Sequence, residues 1–347
     1  MRISIRGIDE PAGPRRPVPA GRRGGALLMV LWLTAALSAI AFSLATTTGG
    51  EIERTSTAVD GIRSYYIATG AIDRAILYML WGPDIKQPDG SPRYWAQGNP
   101  RLRLRFPAGD ALVEVQPANA YLNINAANEQ DLYQLLLAVG ANDGQARLIT
   151  AGIMEWRTPG GRGRSPRFDE QYLGRGPSFS PRHASLEETE ELLLIRGMTP
   201  ELYYGSYVRD AAGRLARRGG LRDCVSVYGV TTGFAVNTAD PALLLAIGIA
   251  PPAVQQIVET RRLRPIYPPD LERLRAFAGP AASRLVVGGR SLFTIRATAR
   301  RRLEDGSLSD LRRTVAATVK FLGYGFDPPY HVLRWYDQAP ADNLDWQ

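Results

Sequence analysis

The residues that could do chemistry in this chain are few. It has two histidines, His183 in a Pro/Arg-rich stretch and His331 in a strand-like run, and neither sits in a recognisable motif. Cys224 is alone, which leaves no internal disulfide and reads as a small buried hydrophobe. Paired carboxylates at Glu187-Glu188 and Glu190-Glu191 could serve acid–base work, yet both pairs also suit the solvated, positive end of a helix. No G-x-S-x-G elbow, H-E-x-x-H zinc signature or phosphate-binding glycine loop occurs. These residue types argue against an enzyme.

A second chemistry is the holding of phosphate. Two Leu-rich helical pairs, residues 128–157 and 240–262, each turn at a glycine, as helix–hairpin–helix DNA-binding units do. The turns read Gly140-Ala141-Asn142 and Gly248-Ile249-Ala250, each lacking a second glycine, and Pro251-Pro252 removes amides a phosphate would need. A membrane-anchored DNA-binding protein is therefore the alternative reading.

What must position any site is a long helix at the head of the chain. Arg22-Arg23-Gly24-Gly25 precedes twenty residues, Ala26 to Ala45, without a charge. As a helix these span roughly 30 Å, the thickness of a bilayer's hydrocarbon core. The short arginine-rich stretch before it places residues 1–25 in the cytoplasm and the bulk on the far side. A signal peptide cut after Ala39-Ile40-Ala41, an uncleaved anchor, or a leader cut between Gly24 and Gly25 would each fit. Helical periodicity resumes at Glu51 and continues to Trp81, with Ile52, Thr55, Val59, Ile62, Tyr66, Thr69, Ile72, Ile76 and Leu80 as a seam expected to pack on a folded head.

Composition adds limits. The formal charge is +8, but residues 1–24 hold six arginines against Asp9 and Glu10, so the remainder is only mildly basic. Arginine is dispersed, which weakens a nucleic-acid reading. Alternation over Leu102–Val115 around Pro107-Ala108-Gly109-Asp110 predicts a hairpin. Asn125 or Asn128 can cap a helix that Gly140 stops. Residues 158–184 read as loop; Ser185 with Glu188 reads as a capping box, and Thr199-Pro200 as a helix start. Strands are predicted at Ser291–Arg300, Leu311–Phe321 and Tyr330–Tyr336, with a turn at Glu304-Asp305-Gly306-Ser307.

The order of RRGGALLMVLW, SYYIATGAIDRA, YLNINAANEQDLYQLL, GIMEWR, IRGMTPELYYGSYV, FAVNTADPALLLAIG and SLFTIRATA resembles the general secretion pathway protein K family, the large minor pseudopilins of type II secretion. The resemblance implies an α+β fold: a long transmembrane helix and a pilin-like α/β head interrupted by a helical, SAM-like insertion. The expected division is a cleaved leader 1–24, the long helix 25–81, the first part of the head 82–120, the insertion 121–230, and a second helical pair with the C-terminal strands 231–347. It further implies prepilin-peptidase cleavage between Gly24 and Gly25 and N-methylation. The I-type, J-type and major pseudopilins become expected partners, with the head periplasmic and the anchor in the inner membrane. Counted from Gly25, Met29 stands at the fifth mature position, where other pilin-like subunits carry a glutamate that pairs with a neighbour's terminal ammonium. A subunit without it suits the filament tip. Calcium is associated with the head in this family. Here Glu155, Asp169 and Glu170 are the candidate calcium ligands, near a loop that has gained Arg162, Arg164 and Arg167.

Overall fold

In the computed structural model the described residues are 25–82, 84–159, 166–174, 179–209, 213–323 and 325–340, with the backbone alone at 49, 52, 53, 166 and 167. The expectations for residues 1–24, including Gly24, lie outside them. The chain comprises two units, Met1–Val59 and Asp60–Gln347.

A single helix, α1, runs from Gly25 to Trp81. Its first part, Gly25–Thr48, has a mean hydropathy of 2.2 and is not covered by any described residue. Its hydroxyls fold back on the helix: Thr34 Oγ1 donates to Leu31 O at 3.0 Å and Thr47 Oγ1 to Ser43 O at 2.8 Å. Such bonds let polar residues sit in an apolar helix without an exposed donor.

In the second unit the last turns of α1 lie on a five-stranded antiparallel sheet. Its strands are β1 (Arg101–Phe106), β2 (Gly109–Pro117), β3 (Leu292–Arg302), β4 (Leu308–Phe321) and β5 (Tyr330–Tyr336). They pair in chain order as a meander, β1 through β5. Alternation puts Val113, Val115, Ile295, Ala297, Val315, Ala317 and Val319 on one buried face with the helix. The helix meets them with Ile67, Ala68, Ala71, Ile72, Ala75, Ile76 and Met79. That differs from the seam expected from sequence. Among the described side chains of that seam only Ile72 and Ile76 are fully buried, while Ile62 and Tyr66 remain 59% and 68% exposed. The reason is steric: Ala68, Ala71 and Ala75 let the helix approach the sheet, so small residues rather than large ones mark the contact face. Asp60 pairs with Arg301 of β3, and Tyr65 donates to Asp337 at 2.8 Å, fixing the start of this contact.

Between β2 and β3 the meander is interrupted by a helical insertion with its own core, from Leu122 to Leu285. It contains α2 (Glu129–Val139), α3 (Asp143–Arg157), α4 (Pro166–Leu173), α5 (Pro200–Tyr204), α6 (Pro241–Ala246), α7 (Pro251–Leu263) and α8 (Pro268–Arg275). Helix α2 packs on α6, and Leu132, Leu135, Leu136, Leu243 and Leu244 share one core. By packing, the insertion therefore continues past 230 and includes the second helical pair.

The two pairs are built alike. Asn128 caps α2 by accepting from Asp131 N at 2.7 Å, and Asp240 caps α6 by accepting from Ala242 N at 2.8 Å. Upstream, Asn125 exchanges two hydrogen bonds with the Leu186 backbone, and Asn237 exchanges two with Ile266. At the far end Arg157 donates to Ile124 O and Ala127 O, and Arg261 donates to Val236 O and Ala239 O. In both copies one arginine thus satisfies carbonyls of the segment leading into the first helix.

Three local expectations shift. The Ser185/Glu188 box is replaced by a 3-10 turn, Thr189–Leu194, with the Glu191 carboxylate accepting from Glu187 N and Glu188 N at 2.7 and 3.1 Å. Residues 166–173, read as loop, form α4. A hairpin, Ser206–Arg209 with Leu215–Arg218, has no clear sequence signal because both arms are four residues long and largely exposed.

Candidate assembly surfaces

Gly25 is the first residue of α1 and Met29 lies one turn in, 77% exposed, with Leu28 and Val30 beside it. No described residue up to Thr48 in this helix is acidic. The first part of α1 offers a neighbour dispersion contacts but no carboxylate to pair with an ammonium.

The acids considered for a metal do not converge. Glu155 is in α3, and Asp169 and Glu170 are in α4. Asp169 is buried and accepts or shares a proton with His183 Nε2 at 2.7 Å, beside the Phe168 ring. Glu170 points to solvent. Among the described residues no three His, Cys, Asp or Glu side chains form a group that could hold a metal ion. They do not fit the six to eight oxygens that calcium takes. Trp156 packs edge-to-face on Tyr172 and Phe179, with Tyr172 tilted against Phe179, which gives α4 an apolar reason to dock.

At the two helical hairpins four amides are already used. Gly140, at φ 110°, and Ala141 donate to Leu137 O and Leu136 O; Gly248 and Ile249 donate to Leu245 O and Leu244 O. The Arg218 guanidinium sits against Gly140, within 2.6 Å of where a Cβ would be. These four amides close the first helix of each pair and are not offered to a phosphate.

Charged groups gather in a cleft between the outer face of the sheet and the insertion, lined by Glu114, Arg217, Asp223, Asp240, Arg261 and Arg296. They pair internally, Arg217 with Asp223 at 2.7 Å and Arg296 with Glu114 at 3.6 Å. Burial pushes the Cys224 thiol well above its ordinary value, with the Asp240 and Asp223 carboxylates adding to it. Burial also raises Asp240, and it lowers the Arg261 guanidinium. A raised thiol is a poor nucleophile, which fits a packing role.

The first unit carries an apolar helix long enough to cross a membrane, which fits a single-pass anchor, and the second a helix packed on a meander that a helical insertion interrupts. Residues 110–205 match the family described as type II secretion system (T2SS), protein K. The chain is 26% identical over 201 residues to the type II secretion system protein K of Klebsiella pneumoniae. It is 24% identical over 204 residues to that of Pectobacterium carotovorum subsp. carotovorum. Each alignment covers 52% of this chain and 60% of the relative, so the chain spans about three fifths of the length of the curated relatives it matches. One chain of the GspK-GspI-GspJ complex of enterotoxigenic Escherichia coli is similar with a TM-score of 0.48 and 17% identity, over 84% of this chain and 99% of that one. The resemblance read from the sequence thus holds over residues 110–205, from β2 into the first half of the insertion.

Two features escaped sequence reasoning. The alanine face of α1 was hidden because small residues carry little hydropathy signal. The opposite face of the same helix keeps Ile62, Tyr66, Leu77 and Trp81 between 41% and 68% exposed, a second apolar stripe that the expected seam had partly merged with the first.

Proposed function

We propose that this chain is a minor pseudopilin, a structural subunit at the tip of a type II secretion pseudopilus that supports protein export across the outer membrane. It acts by assembly and not by catalysis. The apolar helix anchors it by a single pass in the inner membrane, with its N-terminus cytoplasmic and its head periplasmic. Prepilin peptidase cuts between Gly24 and Gly25, and the I-type, J-type and major pseudopilins are its partners.

The observation that carries this reading is α1. In the second unit one face of the helix is sealed by the sheet, while another keeps large apolar side chains in water. A monomer gains nothing from the second stripe; a bundle of like helices would bury it. The match to the protein K family over residues 110–205 supports the same role. The insertion adds bulk between β2 and β3, which suits a subunit that caps a lattice rather than repeating within it. Mass spectrometry of the N-terminal peptide from membranes tests the processing. A mature chain beginning at N-methylated Gly25 is expected; a start at Phe42 would mean signal-peptidase cleavage and would overturn the proposal.

A further inference from the structure

The exposed stripe of α1 is not uniformly apolar. At 100° per residue, Ile62, Tyr66, Gly70, Asp73, Leu77 and Trp81 fall on one face. Gly70 sits at its middle, and a Cβ added there would meet nothing within 4 Å, so the helix is at its narrowest and open to approach. One turn further on is Asp73, exposed and with no hydrogen bond or ion pair among the described residues. Its own helix supplies no counter-ion, because the positions three and four away are Thr69, Gly70, Ile76 and Leu77. The adjacent Arg74 is engaged elsewhere, donating to Arg105 O at 3.3 Å and lying over the Phe106 ring at 4.3 Å. The surrounding protein already raises the Asp73 carboxyl above its ordinary value by desolvation. A neighbour packed on this stripe would raise it further unless that neighbour brought a cation.

The geometry points to a charge-matched helix seat: the face from Ile62 to Trp81 receives the long helix of another pilin-like subunit, which carries an arginine or lysine against Asp73. The seat rests on the assembly reading above and adds its selectivity. Apolar contact at Tyr66, Leu77 and Trp81 is tolerant of register, since one turn's slip still buries apolar surface. A single carboxylate beside the glycine gap is not, because only one alignment puts a cation opposite it. The stripe supplies attraction, and Asp73 selects partner and register.

The test uses the full chain in membranes with co-expressed I- and J-type pseudopilins, and a photo-crosslinker, p-benzoylphenylalanine, placed at position 77. The expected adduct is with the long helix of one of these subunits, in a peptide containing an arginine or lysine. Adduct yield should fall about tenfold in Asp73→Arg and a few-fold in Asp73→Asn, the isosteric variant that keeps the helix surface intact. Changing the partner's cation to aspartate should restore the yield with Asp73→Arg. Unchanged yields in both variants would overturn the charge-matched seat while leaving the assembly reading in place. No adduct with a pilin-like subunit from crosslinkers placed at position 77 or on any other exposed face of α1 would overturn both.

Discussion

Removing Arg284 should unfasten the two halves of the insertion. Its guanidinium forms a two-pronged pair with Asp131 of α2, at 2.5 and 3.0 Å, and also donates to Thr231 O at 3.1 Å and Ile247 O at 3.3 Å. It lies over the Phe234 ring as well. The Asp131 side chain is 8% exposed and that of Arg284 24%, so Arg284→Met would leave a carboxylate with little water and no cation. Breaking a buried pair on one side typically costs about 3–5 kcal/mol, and the partial exposure of Arg284 places the expected loss near the lower end, about 3 kcal/mol. In a unit of this size that lowers Tm by roughly 6 °C. Asp131→Leu combined with Arg284→Met removes both charges and should recover more than half of the loss. Urea unfolding of the full chain in detergent, followed by tryptophan fluorescence, measures both. A loss under about 1 kcal/mol for Arg284→Met, or a double variant as unstable as the single one, would refute the argument.

Three further outcomes are expected. Cys224 is buried with its thiol pushed up, so it should resist a thiol reagent at about pH 8 in the native chain and react fully once unfolded. Burial raises the Asp240 carboxyl, so its contribution to stability is present below the ordinary carboxylate range and lost as pH rises through the raised value. Asp240→Asn should therefore gain Tm relative to the native chain on going from about pH 4 to pH 7, and a difference independent of pH would contradict this. Met29→Glu introduces a carboxylate that costs about 2.5–3.5 kcal/mol in the bilayer unless paired. On the proposal that the bulk of the insertion keeps a subunit from stacking above it, the number of copies per filament should stay unchanged; a rise, counted by quantitative labelling of sheared filaments, would assign tip position to the missing glutamate.

Much of the fold was legible in the sequence because it is written in local chemistry. The Pro107-Ala108-Gly109-Asp110 turn, the Asn128 cap, the Gly140 stop and the Thr199-Pro200 start each satisfy backbone groups within a few residues, so spacing alone reveals them. The echo between the helical pairs was also legible, and the structure supplies its cause in the matched roles of Asn125 and Asn237 and of Arg157 and Arg261. The contact face of α1 was not legible. Which stripe faces the sheet depends on how closely the helix can approach, and that is decided by Ala68, Ala71 and Ala75 against strands far away in the chain. The extent of the insertion was hidden for the same reason, since α2 meets α6 across about a hundred residues of sequence. Asp73 gave no signal at all, because its isolation shows only when the adjacent Arg74 is seen to be engaged with Arg105 and Phe106.

A tip subunit ends a filament rather than building its length. Pseudopili sheared from cells carrying an epitope on the head, labelled with gold and counted by electron microscopy, test that directly. Label is expected at one end of each filament and none along its shaft. Label spaced regularly along the shaft would contradict it.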